Sequence, residues 1–445
     1  MVQGASAVIN QIASTRKELQ GMCRFINNPK VELNSLMEEN ISICKSQVKK
    51  SEHYLVLHDT SNLNFENNSG KLRLRDKDIG PTAYKDSKRV GFMIHPSLVV
   101  ESKTGFAKGY SNIKIWNRKF GQEEAKKKIN RKQQPIAEKE SFKWIEGIES
   151  SRWLCNQSNH VTHVMDRESD IYELFIHPRE RNEDWIVRVY QNRSLENEET
   201  RIKEYLSKQP LRCSFELKVK GTENRRGRTA KLGLKYSKVK VKRPSSKGSK
   251  TLPSYVEVNA VMVEEYESSV PPGDSPIRWI LYTTHQIETI ADALQIVEWY
   301  KKRWIIEELF STLKTRGLCI EDSQLETGIG LKKLTVMALQ ASLQIFQLVK
   351  ERDGQYGENA TLIFSAKEIA FIKVLSKTLE GKTEKLKNHF KENSLAWAAW
   401  SIARLGGWKG YKSESPPGPK TMKRGLFKFR ALFEGWSLAN NFGST

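Results

Sequence analysis

The chain has 445 residues, enough for a large core and two or three domains, and its 74 Lys and Arg against 52 Asp and Glu leave a formal charge of +22. Such an excess favours a polyanionic partner, nucleic acid before anionic membrane, while no apolar run is long enough to span a bilayer. The N-terminus lacks the basic-then-apolar order of a secretory signal, and the five cysteines are scattered with no C-x-x-C pair. That usage suits a reducing cytosol and argues against a disulfide scaffold and a thiolate zinc site.

Residues 1–50 read as helical on either side of a break at NNPK, a small lobe with no metal or nucleotide motif. Residues 54–57 (YLVL) form a short apolar run, predicted as a buried strand that ends at His58, Asp59 and Thr60. Further strands are expected at 88–100 and 111–116, a charged loop or helix at 121–139, and a helix at 144–156. A second apolar strand, 160–165 (HVTHVM), stops at Asp166. The segment DRESDIYELFIHP then reads as a helix with an acidic first turn, for which Asp166 could serve only as the N-cap. Residues 184–190 are another strand, with Arg188 as its inward candidate.

From 211 to 281 the texture alternates with period two, as in strands of an antiparallel sheet. Between Lys218 and Lys250 there are thirteen Lys or Arg and a single acid, Glu223. Edge strands carry Lys to prevent aggregation, but so strong a bias points to a surface for the phosphate backbone. Residues 298–317 (EWYKKRWIIEELFSTLKTRG) read as one amphipathic helix, free of Gly and Pro until Gly317. At ~100° per residue, Trp299, Ile305, Ile306, Leu309, Phe310 and Leu313 share the packing face, and Lys301, Glu308 and Thr312 point to solvent. Tyr300, Arg303, Glu307 and Lys314 fall together along one margin of the apolar arc. On an isolated helix that row would be a solvated face, with Arg303 and Glu307 paired at i,i+4. Helices at 328–351, 366–379 and 395–405 form an all-helical C-terminal portion, and a basic, aromatic tail follows a Pro/Gly loop.

There is no G-x-S-x-G elbow, no H-E-x-x-H and no phosphate loop, since GTENRRGRT at 221–229 has the wrong spacing. His58 and His163 stand beside the strand-end acids and read as packing or polar-edge residues. Asp59 and Asp166 each emerge where an apolar strand ends, and Glu307 lies on the half-buried margin of a helix able to pack there. Three hard oxygen ligands of this kind suit Mg2+ or Mn2+. Two such ions would clamp the oxygens of an in-line phosphoryl transfer. On a basic chain the three acids suggest cutting or joining of a phosphodiester.

The spacing of Tyr300, Arg303, Glu307 and Lys314 resembles the Y-R-E-K signature of bacterial insertion-sequence DDE transposases. Collinear blocks extend the resemblance over nearly the whole chain: RFINNP at 24–29, HDT at 58–60, DRESDIYE at 166–173, WIVR at 185–188, PIRWIL at 276–281, YKKRWIIEE at 300–308, LKTRG at 313–317 and SIARLGGW at 401–408. It implies an α/β fold with an RNase H-like catalytic core, a mixed sheet flanked by helices, at 51–195 and 282–350. An antiparallel β insertion would occupy 196–281, a shortened DNA-binding helical region 1–50, and a helical dimerisation region 351–445. Asp59, Asp166 and Glu307 would be the catalytic acids holding two Mg2+ ions, with Mn2+ as substitute. Tyr300, Arg303 and Lys314 would grip the element's end, with Arg188 and Trp279 near the reacting strand and Trp279 stacking on a flipped base. Trp279 is equally readable as an ordinary strand-core residue.

The implied activity is cut-and-paste transposition by hydrolysis, hairpin formation and strand transfer. It would act on double-stranded DNA, both element ends and target, as a synaptic homodimer in the bacterial cytoplasm at the nucleoid. Only about two dozen residues precede RFINNP, fewer than the family's end-recognition domain. A shortened, non-catalytic regulator of transposition is therefore a second expectation, and a non-transposing nuclease with the same core a third.

Overall fold

A computed structural model of the chain describes residues 7–9, 13, 15–65, 76–83, 86–120, 134–196, 198–219, 221, 227–245, 250–411 and 413–442. Two helices, α1 (Arg16–Asn27) and α2 (Leu33–Gln47), precede the strands β1 (His53–His58), β2 (Ser61–Asn64), β3 (Gly80–Ala83), β4 (Asp86–Glu101) and β5 (Ala107–Trp116). After α3 (Phe142–Ser151) and α4 (Trp153–Gln157) come β6 (His160–Met165), the short α5 (Tyr172–Phe175) and β7 (Glu183–Arg188). Helix α6 (Ile202–Lys208) leads into β8 (Cys213–Val219), β9 (Arg228–Lys242), β10 (Tyr255–Glu265) and β11 (Arg278–Thr283). The rest is helical: α7 (Ile290–Lys301), α8 (Trp304–Lys314), α9 (Gly328–Glu351), α10 (Ala366–Leu379), α11 (Leu395–Leu405) and α12 (Pro419–Phe442). Most of the lysine-rich segment expected as a loop or helix at 121–139 lies outside the described residues; only a 3-10 turn, Ile136–Glu138, is seen there.

β1 pairs antiparallel with β4, which pairs antiparallel with β5, while β6 lies parallel to β1 and β7 parallel to β6. This mixed α/β sheet flanked by helices is consistent with the RNase H-like expectation. Strands β1 and β6 are buried along all but their first residue. The reason is that both faces are covered, which is why parallel strands read as unbroken apolar runs. Leu55, Leu57, Val164, Ile186 and Leu281 face one core with α8 and α9, and Met165, Trp185, Val187, Ile280 and Tyr282 face a second with α3 and α5. The alternating strands do not form a sheet of their own. β11 pairs antiparallel with the edge of β7, and β10, β9 and β8 follow outward in the same eleven-stranded sheet.

The single helix expected at 298–317 is a correction. The chain forms two helices with a jog at Lys302–Arg303, where N–H groups reach back three residues rather than four: Arg303 to the Tyr300 carbonyl (3.0 Å) and Ile305 to that of Lys302 (2.9 Å). Thr312, expected in solvent, is 2 % exposed, and Glu308 pairs with Lys350 of α9 at 2.7 Å. Just past α8, a Cβ on Gly317 would lie 2.0 Å from the Thr312 carbonyl oxygen, so only glycine allows the chain to fold back there. The segment after Asp166 is also less helical than expected, a 3-10 turn (Arg167–Ser169) and the single turn of α5. No helix among the described residues is long and apolar enough to cross a membrane.

Candidate active site

Parallel pairing of β1 and β6 brings their C-terminal ends to the same rim of the sheet, so Asp59 and Asp166 leave adjacent strands side by side. β1 and β2 pair with successive parts of β4, and Asp59 and Thr60 span the gap between them. The Asp59 carboxylate accepts the Thr60 N–H (2.8 Å) through Oδ1, and Oδ2 accepts Arg303 Nη1 (3.2 Å). The Nη2 of the same guanidinium donates to Glu307 Oε1 on the first turn of α8. Arg303 sits at the jog between α7 and α8, and this turn aims its planar fork at two carboxylates at once. Asp166 caps the following 3-10 turn by accepting the Glu168 N–H (2.8 Å). The cap and a site role are thus compatible, because the cap uses only Oδ1.

Burial raises the Asp59 carboxyl to about 7, against the pull of Arg303, and the negative charges of Asp166 and Glu307 push the same way. Burial also raises Asp166. The three acids do not each bring an oxygen within 4.8 Å of the other two; among the described residues, the group whose ligand atoms lie that close is elsewhere. Against three carboxylates Arg303 supplies one positive charge. The deficit, the poor solvation and the all-oxygen donor set fit a divalent cation of the hard type.

The remaining expected residues divide into two groups. Tyr300, on α7, is 5 % exposed. Burial raises its phenol, against the nearby positive charges of Arg303 and Arg188. Trp279 meets the Tyr300 ring edge-on at 5.7 Å, so Arg188, Trp279 and Tyr300 form one patch beside Arg303. Trp279 is only partly buried. Lys314 stands at the far end of α8, where its Nζ reaches the Asn62 carbonyl on β2 (2.6 Å) and Glu321 (3.2 Å).

Sequence reasoning missed the support behind Asp59. His58 Nε2 and His163 Nδ1 are 2.9 Å apart, His163 Nε2 meets Glu183 at 3.1 Å, and His58 Nδ1 meets Ser97 at 3.0 Å. This buried chain ties four strands, β4, β1, β6 and β7, together next to the carboxylate. Gly147 of α3 permits the approach, as a Cβ there would lie 2.9 Å from His58 Nδ1. The available signal was parallel register: His163 faces Val56 on β1, which brings two histidines from different strands into reach. The basic strands are also less free than their composition suggests. Arg228 forks onto buried Glu265, Lys238 pairs with Glu257, and Lys242 with Glu196.

Residues 142–343 match the family model for the transposase DDE domain. The matched stretch is just under half of the chain and contains Asp166, Arg188, Trp279, Tyr300, Arg303, Glu307 and Lys314, while Asp59 lies ahead of it. The match supports an insertion-sequence-type DDE transposase, a class of metal-dependent enzymes acting on DNA.

Proposed function

We propose that the chain is a cut-and-paste DNA transposase that hydrolyses phosphodiesters at the ends of a mobile element, passes through a hairpin and joins the element to target DNA. The observation that carries this reading is Arg303 gathering Asp59 and Glu307 beside Asp166, in a chain of which 142–343 matches a transposase DDE domain. In this reading Asp59, Asp166 and Glu307 are the catalytic acids and hold two Mg2+ ions, for which Mn2+ can substitute. When bound, the ions activate the attacking oxygen and stabilise the leaving one. The chemistry needs no covalent enzyme intermediate: water frees a 3′-hydroxyl, which attacks the opposite strand, and after reopening attacks target DNA.

The chain's own residues hold the DNA for these steps. Arg303, released from its carboxylates, turns its fork to a phosphate. Arg188 and the neighbouring Tyr300 phenol meet the same strand, and Lys314 contributes a second cation one helix length away. Trp279, partly buried and edge-on to Tyr300, offers a face for stacking an unpaired base at the hairpin, which aromatic rings do without regard to sequence. The catalytic unit would comprise 51–195 and 282–350. Residues 196–281 would be an insertion carrying a phosphate surface, 1–50 a DNA-binding lobe and 351–445 the region that pairs two copies in the synaptic complex.

The test is incubation with Mg2+ and DNA carrying the inverted repeats that flank the coding sequence, with products resolved on a denaturing gel. Nicked, hairpin and joined species are expected from the natural chain and none from Glu307→Ala. Nicking that survives Glu307→Ala would sink the assignment of the acids. Absence of both nicking and specific end binding would favour the regulator instead.

A further inference from the structure

At the opposite end of the same parallel strands lies a second cluster that the active site does not use. His160 opens β6, Asp184 is the second residue of β7, and His285 follows the end of β11. Six residues of extended β6 separate His160 from Asp166, about 20 Å along the strand. One ligand atom from each of His160, Asp184 and His285 lies within 4.8 Å of the other two. Asp184 Oδ2 is 3.0 Å from His160 Nε2 and 3.5 Å from His285 Nδ1. A tetrahedral Zn2+ with bonds near 2.0–2.1 Å places its ligand atoms about 3.3–3.4 Å apart, so these separations bracket the required edge.

The groups around the cluster orient it as metal sites are oriented. His285 Nε2 meets Thr162 Oγ1 at 2.8 Å, which leaves Nδ1 directed at Asp184. Thr162 Oγ1 is also 2.9 Å from His53 Nε2, so a single hydroxyl fixes two rings. Arg179 Nη1 takes Asp184 Oδ1 and leaves Oδ2 facing the histidines. Such outer contacts set ring orientation and ligand basicity at zinc centres. The side chains of His160, Asp184 and His285 are 27 %, 14 % and 14 % exposed, which leaves an approach for an ion and a fourth position for water.

We propose that His160, Asp184 and His285 form a Zn2+ site separate from the catalytic carboxylates. Two imidazoles and one carboxylate select Zn2+ over Mg2+, whereas three carboxylates do the reverse, so the chain would sort two metals between two ends of one sheet. The site would bolt the connection between β11 and α7 to β6 and β7. Trp299 of α7 lies edge-on to His53 at 4.8 Å and tilted against His285 at 4.9 Å. The start of the helix pair that carries Tyr300, Arg303 and Glu307 would thereby be anchored through the metal.

The full chain, freed of metal by EDTA and dialysis, is titrated with Zn2+ by calorimetry and with Co2+ by visible absorption, alongside His285→Asn, His160→Gln and Glu307→Gln. Saturation at one Zn2+ per chain is expected, with the intense visible bands of four-coordinate Co2+ and no thiolate charge-transfer band. Each histidine variant should weaken Zn2+ binding by about 100-fold or more, and Glu307→Gln should leave the Co2+ spectrum unchanged. Using two histidines on different strands guards against one variant failing to fold. Undiminished Zn2+ binding in both histidine variants, a thiolate band, or no saturable binding by the natural chain would each overturn the proposal.

Discussion

At the scale of single residues the site turns on Arg303. A lysine could reach Asp59 or Glu307, but only a planar guanidinium can bond both through separate nitrogens. If the same fork later serves a phosphate, Arg303→Lys should slow nicking by about 10²-fold and Arg303→Ala by up to about 10³-fold, the range for loss of one preorganised donor. Single-turnover nicking in Mg2+ measures both; equal rates for Arg303→Lys and the natural chain would rule out the bidentate role. Half of this arrangement was legible in the sequence. The four-residue spacing of Arg303 and Glu307 predicts their pairing on any helix. Their meeting with Asp59, 244 positions earlier, depends on strand order, which periodicity does not encode. The buried His58–His163 contact was hidden for the same reason, because each histidine alone looks like packing.

At the scale of elements, apolar runs and alternation located most strands and helices to within a few residues, since each carries its period locally. What they could not show is how elements join. The Lys302–Arg303 jog keeps right-handed helical dihedrals, so no Gly or Pro marks it, and the wheel drawn across it misplaced Thr312. The basic strands illustrate a second limit, as composition counts charges without their partners. Arg228 and Glu265 are 7 % and 0 % exposed and bond through two nitrogens, and Arg228 also reaches Asp274. Arg228→Ala should therefore cost about 3–5 kcal/mol in urea denaturation by leaving a buried carboxylate without its cation. Exposed Lys231, on the same strand, should behave oppositely. Lys231→Ala is expected to leave stability unchanged while lowering DNA affinity and reducing the salt slope by about 1. A Lys231→Ala chain that binds DNA with the natural affinity and salt slope would remove that position from the phosphate surface.

At the scale of the whole molecule the concentration of histidine inside the sheet makes stability depend on pH. Burial holds His58 and His95 well below the ordinary imidazole range and lowers His53 to about 3. The unfolded chain takes up protons at these positions as pH falls through about 6.5, and the folded chain does not. Their contribution is complete above that pH and is lost below it, each group adding up to about 1.4 kcal/mol per pH unit. Asp59 works in the other sense. Its folded value of about 7 lies above the unfolded carboxylate range, so its contribution is present at low pH and is lost as pH rises through 7. The lowered imidazoles, His285 among them, outnumber the two raised carboxyls, Asp59 and Asp166, and the metal-free chain should lose stability from pH 7 to pH 5. His95 bonds Thr60 through Nδ1; His95→Asn, which can keep that partner, should flatten the fall. Asp59→Asn should be more stable than the natural chain at pH 8 in EDTA, with the gap closing toward pH 4 as the natural carboxyl becomes protonated. Urea midpoints across pH 4–8 measure both effects. A gap independent of pH would show that Asp59 does not carry the excess charge that the proposed Mg2+ ions would neutralise.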